Sequence, residues 1–370
     1  MTRIALFTDT LNETNGIGLM YKNLVAQSDD RLRIDIFYGE SSTVETCFPL
    51  KLHFSCRMPL YQDLRFYIPS RANLSNFDFT KYDAIQIATP SFIGRFGTKV
   101  AHRFRKPLVG FYHTDILTYL AIYLKRGFLP SSIPDIVSHL LMKLTYSHCN
   151  WIICQNKQIA SRITRDFGFK NTIVCKTGVD TELFSPISSQ SVSAIRDKWG
   201  IAPESFVCLY VGRVSVEKNI EALRHLIRLK HNVTVVVVGS GPLLSQLRQR
   251  LPFVFIGELS HEQLPELYQA ADCFVMPSFS ETYGNVLLES LACGLPVVCH
   301  SEYVNSSVVQ HESMGLVFND PESLLDAVQW MIDHPAELNV MGSSALKYTQ
   351  QHSWEHAYTD LVDIYTEILS

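Results

Sequence analysis

The stretch Met276-Pro277-Ser278-Phe279-Ser280-Glu281-Thr282-Tyr283-Gly284-Asn285-Val286-Leu287-Leu288-Glu289-Ser290-Leu291-Ala292-Cys293-Gly294-Leu295-Pro296-Val297-Val298 carries the reading of the chain. An apolar run ends in a polar turn, Gly284 gives backbone freedom where a helix should start, and a helical apolar pattern then leads to another strand at Pro296. Strand, loop, helix and strand in that order are the unit of a parallel α/β sheet. Two carboxylates eight residues apart bracket the helix start. Glu281 lies just before it. Glu289 sits near mid-helix among Val286, Leu287, Leu288, Leu291 and Ala292, where a lone acid needs a partner or a polar ligand. The plain alternative makes Glu281 a first-turn acid that suits the helix dipole and lets Glu289 face solvent.

The same alternation runs outward in both directions. Apolar strands are expected at 206–212, 233–238, 254–256, 273–276 and 296–299, and in the first half at 3–8, 33–38, 84–88, 107–112 and 151–154, with helical segments between them. This is the pattern of two doubly wound, Rossmann-like α/β domains. Boundaries are placed at 1–183 and 184–353, with the Ser/Gln-rich 187–192 as linker. A final amphipathic helix over 354–370, with Ala357, Leu361, Ile364, Tyr365 and Ile368 on one face, is expected to pack back on the first domain.

Ligands of such sheets bind beyond the C-terminal strand ends. In the first half that rule selects Asp9 to Gly18, Thr89-Pro90-Ser91 and His113-Thr114-Asp115. Gly16 and Gly18 open a helix with Ile17, Met20, Tyr21, Leu24 and Val25 at helical spacing, whose N-terminus suits a phosphate; a tight turn needing positive φ explains the glycines equally well. His113 directly follows an apolar strand, and a structural histidine bonded to a neighbouring carbonyl is its alternative. In the second half Gly212-Arg213-Val214-Ser215-Val216-Glu217-Lys218-Asn219 puts two cations in one strand-exit loop. Arg213 offers a planar fork and Lys218 a point charge, a pair suited to a diphosphate; either could instead pair with Glu217 at the surface. Gly239-Ser240-Gly241-Pro242 and Gly257-Glu258-Leu259 reach the same edge.

Composition narrows the classes. The 370 residues are 46% hydrophobic and 18% charged, which excludes a disordered chain. The β-branched run Val233 to Val238 is far short of the roughly 20 apolar residues of a spanning helix. The N-terminus reaches Asp9 too early for a signal peptide and reads as a buried strand. Nine scattered cysteines without a C-x-x-C pair suit reduced thiols and a cytoplasmic location. Residues 1–183 hold 22 basic and 15 acidic side chains, whereas 184–370 hold 10 and 21. The first half is therefore the one to meet an anionic partner. Its basic run Arg95, Lys99, His102, Arg103, Arg105 and Lys106, with the apolar, aromatic stretch 117–146 carrying Lys125, Arg126 and Lys143, suits the face of an anionic membrane; a solvated helix face is the alternative. No nucleic-acid partner is expected.

With these residues in place the chain resembles the retaining glycosyltransferases of the large GT4-like family, whose members include bacterial mannosyl-, glucosyl- and sulfoquinovosyltransferases. The resemblance covers nearly the whole chain. It is strongest at Val211–Asn219, Val236–Pro242, Phe255–Leu267 and Ala271–Val298, and weaker at Asn15–Gly18 and His113–Asp115. Glu281 and Glu289 match the E-x7-E element, and Gly212 to Lys218 matches G-R-x-x-x-E-K. The resemblance implies a GT-B fold, two Rossmann-like domains facing across a cleft. It also implies that Glu289 holds the ribose hydroxyls, Glu281 faces the donor sugar, Arg213 and Lys218 grip the diphosphate, Gly16 and Gly18 approach it, and His113 lies by the transferred sugar. Catalytic roles are thus expected at His113, Arg213, Lys218 and Glu281. Donor binding is expected at Gly16, Gly18, Gly212, Arg213, Lys218, Gly241, Glu281, Tyr283, Gly284, Asn285, Val286 and Glu289. Retention of configuration follows from the resemblance alone.

The charge logic agrees, because a departing nucleoside diphosphate builds negative charge that preformed cations stabilise most in the transition state. The chain contains no Asp-x-Asp, so no metal and no cofactor is expected. His113-Thr114-Asp115 looks like the segment of enzymes using GDP-mannose and of some using UDP-sugars on diacylglycerol. The expected donor is accordingly GDP-mannose or UDP-glucose, with a lipid or glycan acceptor. One departure bears on the sugar: similar proteins carry Gly-Gly and then Glu after the position of Val298, where this chain reads His300-Ser301-Glu302-Tyr303-Val304-Asn305-Ser306-Ser307. Two other classes compete. A nicotinamide oxidoreductase would use Val238-Gly239-Ser240-Gly241, yet the third glycine of G-x-G-x-x-G is missing. A catalytically inactive binding subunit is disfavoured by the joint presence of Arg213, Lys218, Glu281, Glu289 and His113.

Overall fold

The computed structural model describes residues 1–12, 16–58, 61–113, 132–186, 190–278, 284–302, 306, 309 and 313–370. The chain divides into two compact units, Met1–Gly178 with Trp354–Ser370, and Val179–Ser353.

The first unit is built on a parallel sheet in the order β3-β2-β1-β6-β7-β8-β9. Its strands are β1 (Thr2–Phe7), β2 (Leu32–Tyr38), β3 (Cys47–Pro49), β6 (Ala84–Ile87), β7 (Leu108–Tyr112), β8 (Trp151–Cys154) and β9 (Thr172–Val174). An antiparallel pair, β4 (Leu52–Met58) with β5 (Tyr61–Pro69), is inserted after β3. Neither this pair nor the short edge strands β3 and β9 was expected from sequence: polar residues interrupt β4, β9 is three residues long, and the apolar runs of β3 and β5 carry Pro49 and Pro69, which argue against a strand. β1, β2, β6 and β7 are buried nearly end to end, as strands covered on both faces must be. Phe7, Phe37, Phe79 and Phe96 form one aromatic cluster in that core, with ring centroids 5.0–5.9 Å apart.

The helix Trp354–Leu369 belongs to this unit although it ends the chain. Its buried face holds Trp354, Ala357, Tyr358, Leu361, Ile364 and Tyr365. The Tyr358 hydroxyl donates to Asp29 at 2.8 Å and to the Leu32 carbonyl at 3.0 Å, which seats the helix against the start of β2.

The second unit is a parallel sheet in the order β12-β11-β10-β13-β14-β15. Its strands are β10 (Phe206–Val211), β11 (Val233–Val238), β12 (Val254–Gly257), β13 (Cys273–Met276), β14 (Val297–His300) and β15 (Gly315–Phe318). β15 is the one strand here that the sequence did not announce. The division between units falls after Gly178, ahead of the expected boundary at 183. Val179 already pairs with Ser353, its N–H donates to His352 at 2.8 Å, and Phe184 packs in the second core. The expected linker is also corrected. Residues 187–189 lie outside the described residues, but Gln190–Lys198 is a helix of the second unit, anchored by buried Arg196, which donates to the carbonyls of Ala270, Pro203 and Ser205.

Leu361 is fully buried at the centre of the C-terminal helix. Leu361→Ala is expected to destabilise the first unit by about 2–5 kcal/mol, the usual cost of such a cavity, as read by urea unfolding.

Candidate functional site

Both sheets have a switch point, where the strand order turns from one direction to the other. In the second unit it lies between β10 and β13, since β11 and β12 continue one way and β14 and β15 the other. Parallel strands send every exit loop to the same edge, and the crevice at a switch point is where such sheets receive ligands. The loop after β10 carries Gly212, Arg213 and Lys218. The segment after β13 leads to Gly284, which caps the helix Asn285–Ala292 at φ 82°, with Asn285 and Val286 in its first turn. The two exits are joined directly. Asn219 donates to the Pro277 carbonyl at 3.3 Å, and the Ser278 hydroxyl donates to the Glu217 carbonyl at 3.4 Å. Glu281 and Tyr283 lie outside the described residues.

Arg213 and Lys218 are half-buried, and their loop is rigidly held. The Tyr210 hydroxyl donates to the Arg213 carbonyl at 2.9 Å, and the backbone of Val214 donates to the Ser240 carbonyl at 2.8 Å. Glu217 does not lie at the surface: it is fully buried and accepts the Ser215 hydroxyl at 2.5 Å. The exit loop of β11 is pressed on that of β10. A side-chain carbon at Gly239 would fall on the Gly212 carbonyl oxygen, and one at Gly241 on that of Val214. Both glycines also have positive φ, so their type is dictated twice over.

Glu289 does not face solvent. It is buried in the helix Asn285–Ala292, with one carboxylate oxygen 3.1 Å from Nε2 of His261 and the other accepting the Tyr268 hydroxyl at 2.8 Å. Phe184 packs edge-on against both the His261 and Tyr268 rings. Tyr268 further donates to the Val286 carbonyl at 3.3 Å, tying it to the first turn. His261 and Tyr268 are site residues that sequence reasoning missed. The signal available was the unpaired acid itself, which called for donors without saying which ones. Burial works against a charged His261, but the hydrogen bond and charge of Glu289, with Glu262 and Asp180 beyond, outweigh it and raise the ring above its ordinary value.

In the first unit the switch point lies between β1 and β6. The loops after both strands meet there: the Thr89 hydroxyl donates to Asp9 and lies 3.2 Å from that of Ser91, which caps the helix Phe92–Phe104. Gly16 begins the helix Gly16–Ala26. Gly18 does not serve a positive-φ turn. It is buried inside the helix, and a side-chain carbon there would come 2.8 Å from the Leu11 carbonyl oxygen, so the residue is set by close approach. His113 follows β7 and is 5% exposed, and its Nε2 lies 2.7 Å from the Tyr21 hydroxyl. Burial pushes its pKa down to about 3, so the ring is neutral at ordinary pH. Thr114, Asp115 and the stretch 117–131 lie outside the described residues. Among the described residues no cluster of His, Cys, Asp and Glu is arranged to hold a metal ion.

Comparison with known proteins follows the same division. Residues 16–183 match the profile of Glycosyltransferase Family 4, and residues 191–348 match that of Glycosyl transferases group 1. A sulfoquinovosyl transferase of Arabidopsis thaliana is 27% identical over 334 residues, 88% of this chain and 63% of that protein. A GDP-mannose-dependent alpha-mannosyltransferase of Corynebacterium glutamicum is 26% identical over 327 residues, 85% of this chain and 74% of its own length. Among solved structures, HepE of Anabaena in complex with UDP-glucose superposes with a TM-score of 0.77 at 19% identity, covering 99% of this chain and 100% of that one. The fold is thus GT-B.

A histidine whose pKa rises on folding adds stability that is complete below its ordinary value of 6.5 and is lost as pH climbs through the raised value. Urea unfolding of the wild type should therefore show stability falling across that window as the His261 pair discharges. In Glu289→Gln this component of the slope should vanish.

Proposed function

The chain belongs to the Family 4 glycosyltransferases, and we propose that it moves a hexose from a nucleoside diphosphate sugar to a lipid or saccharide acceptor, retaining the anomeric configuration. One observation carries the reading: at a single switch point the fold joins the Arg213 and Lys218 loop to the segment leading into the Glu289 helix. The joined elements carry an acid suited to hydroxyls and two cations suited to phosphates. In this reading Glu289, held by His261 and Tyr268, accepts from the ribose hydroxyls. Arg213 and Lys218 bind the diphosphate and neutralise the charge that grows on it as the sugar departs. Gly16, Gly212, Gly241 and Gly284 let backbone approach the donor while Gly18 lets its helix close on Leu11, Asn285 and Val286 present the helix N-terminus, Tyr283 binds the donor, and Glu281 faces the sugar together with His113. GDP-mannose and UDP-glucose are the donors proposed. With two fixed cations at the diphosphate, transfer needs no divalent metal.

We also assign the acceptor side to a membrane surface. The helix Ser132–Tyr146 leaves Ile136, Val137, Leu140, Leu141 and Leu144 exposed, Ile136 by 65% and Leu140 by 56%. Just beyond its end, His148 joins Thr98, Lys99, His102, Arg103 and Arg105 around an open basic depression. An apolar face beside a cluster of cations matches an anionic bilayer, whose headgroups meet the charges while the side chains enter the acyl boundary. Among the described residues no helix is long and apolar enough to cross a membrane, so the attachment proposed is peripheral.

The donor reading is tested by a thermal-shift screen with UDP, GDP, ADP and their sugars, where a ligand bound only by the folded state raises the midpoint. GDP-mannose or UDP-glucose should raise it, and a flat screen refutes the donor site. Glu289→Ala should weaken donor binding by about tenfold or more, whereas Lys218→Ala should chiefly lower kcat, by about 100-fold. Activity should survive EDTA. Loss of turnover in EDTA, restored by Mn²⁺ or Mg²⁺, would refute the metal-free reading. Sedimentation with anionic vesicles at low salt should capture the wild type, and Ile136→Asp with Leu140→Asp should release it; equal capture of both defeats the membrane assignment.

A further inference from the structure

A buried chain of hydrogen bonds links the C-terminal helix to His113. The Tyr365 hydroxyl donates to Oε1 of Gln86 at 2.5 Å, Nε2 of Gln86 donates to the Tyr21 hydroxyl oxygen at 3.0 Å, and that hydroxyl lies 2.7 Å from Nε2 of His113. Its members come from four elements: the helix Trp354–Leu369, strand β6, the helix Gly16–Ala26 and the exit of β7. Tyr21 and Gln86 are fully buried, Tyr365 nearly so, and His113 almost as deep. Burial holds both tyrosines well above the ordinary phenol range, so each keeps its proton.

The direction of this chain is decided at its far end. Among the described residues the Tyr365 hydroxyl has one hydrogen-bond partner, Gln86. Its proton must go to the Gln86 carbonyl oxygen or remain without an acceptor in the interior, at the full cost of desolvation. With that oxygen occupied, the amide nitrogen of Gln86 faces Tyr21. Tyr21 then accepts from Gln86 and spends its own proton on His113. A ring nitrogen that accepts cannot carry the proton of a neutral imidazole, which leaves it on Nδ1. The ring plane is fixed as well, stacked on Phe111 at 3.9 Å and meeting Tyr21 edge-on at 5.3 Å.

We propose that Tyr21, Gln86 and Tyr365 are positioning residues that hold His113 as the neutral tautomer protonated on Nδ1, so that it meets the donor sugar as a hydrogen-bond donor and not as a base. This rests on the placement of His113 beside the sugar in the preceding section. Its distinctive consequence is remote control: Tyr365 reaches His113 through Gln86 and Tyr21, and from there it decides which ring nitrogen carries the proton. A side chain that merely filled space would leave the tautomer untouched.

The test is ¹⁵N NMR of histidine-labelled full-length protein, with the His113 signals assigned by their loss in His113→Gln, read beside steady-state kinetics. The wild type should show His113 as a single neutral form with the proton on Nδ1. Tyr365→Phe keeps the ring and its packing but frees Gln86 to turn over. It should convert the signal to a mixture of both tautomers and lower kcat by about tenfold with KM within about twofold. Tyr21→Phe should do the same more severely, and thermal midpoints identify any variant that fails to fold. A wild-type ring protonated on Nε2, or a Tyr365→Phe spectrum that keeps the single Nδ1 form, would overturn the proposal whatever the kinetics. A relaxed tautomer with unchanged kcat in both variants would overturn instead the placement of His113 beside the sugar.

Discussion

The second unit of this protein depends on backbone pressed against backbone. At the exits of β10 and β11 the chain comes so close to itself that no side-chain carbon fits at Gly239 or Gly241. Hydrogen bonds then close the contact, from Gly212 to Val238, from Val214 to Ser240 and from Gly239 to Gly257. Three exit loops become one surface, and the carbonyl of Arg213 is clamped by Tyr210 within it. Cations on a loop that cannot relax keep their position as charge develops on a ligand, which is the condition for stabilising a transition state more than a ground state.

Burial sets the second half of the chemistry. An acid in an apolar helix is expensive unless donors surround it, and Glu289 has a donor on each oxygen. A phenol and an imidazole placed from the helix Leu264–Ala270 and the turn before it hold the carboxylate in one orientation. In the first unit the same economy of buried polar groups appears as a chain ending in His113. Each unit thus holds a buried polar side chain whose orientation is decided by its hydrogen-bond partners.

The resemblance identified the family and the alternation of strands identified the layers, because both are local patterns: apolar runs of fixed length, glycines at strand exits, and two glutamates at a set spacing. β1, β2, β6, β7, β8, β10, β11, β12, β13 and β14 were all legible this way. The pair β4 and β5 was not, since His53, Ser55 and Arg57 interrupt β4 and the apolar run of β5, Phe66-Tyr67-Ile68, ends in Pro69. The reading of Gly18 as a turn residue failed for a related reason: close approach to Leu11 is a contact in space that leaves no local mark. Glu217 looked like a surface acid beside two cations, and only the packing of its loop shows it buried on Ser215.

By itself the sequence determined two parallel α/β sheets, the strand ends at which ligands gather, and an acid that had to find partners. The tertiary structure alone decided who those partners are. His261 and Tyr268 precede Glu289 by 28 and 21 residues, and Tyr365 meets Gln86 across a separation of 279. Periodicity reports which face of an element is buried, but a hydrogen bond between two buried faces is chosen by how distant elements cross. That crossing is settled by the packing of the whole core and has no signature in either segment.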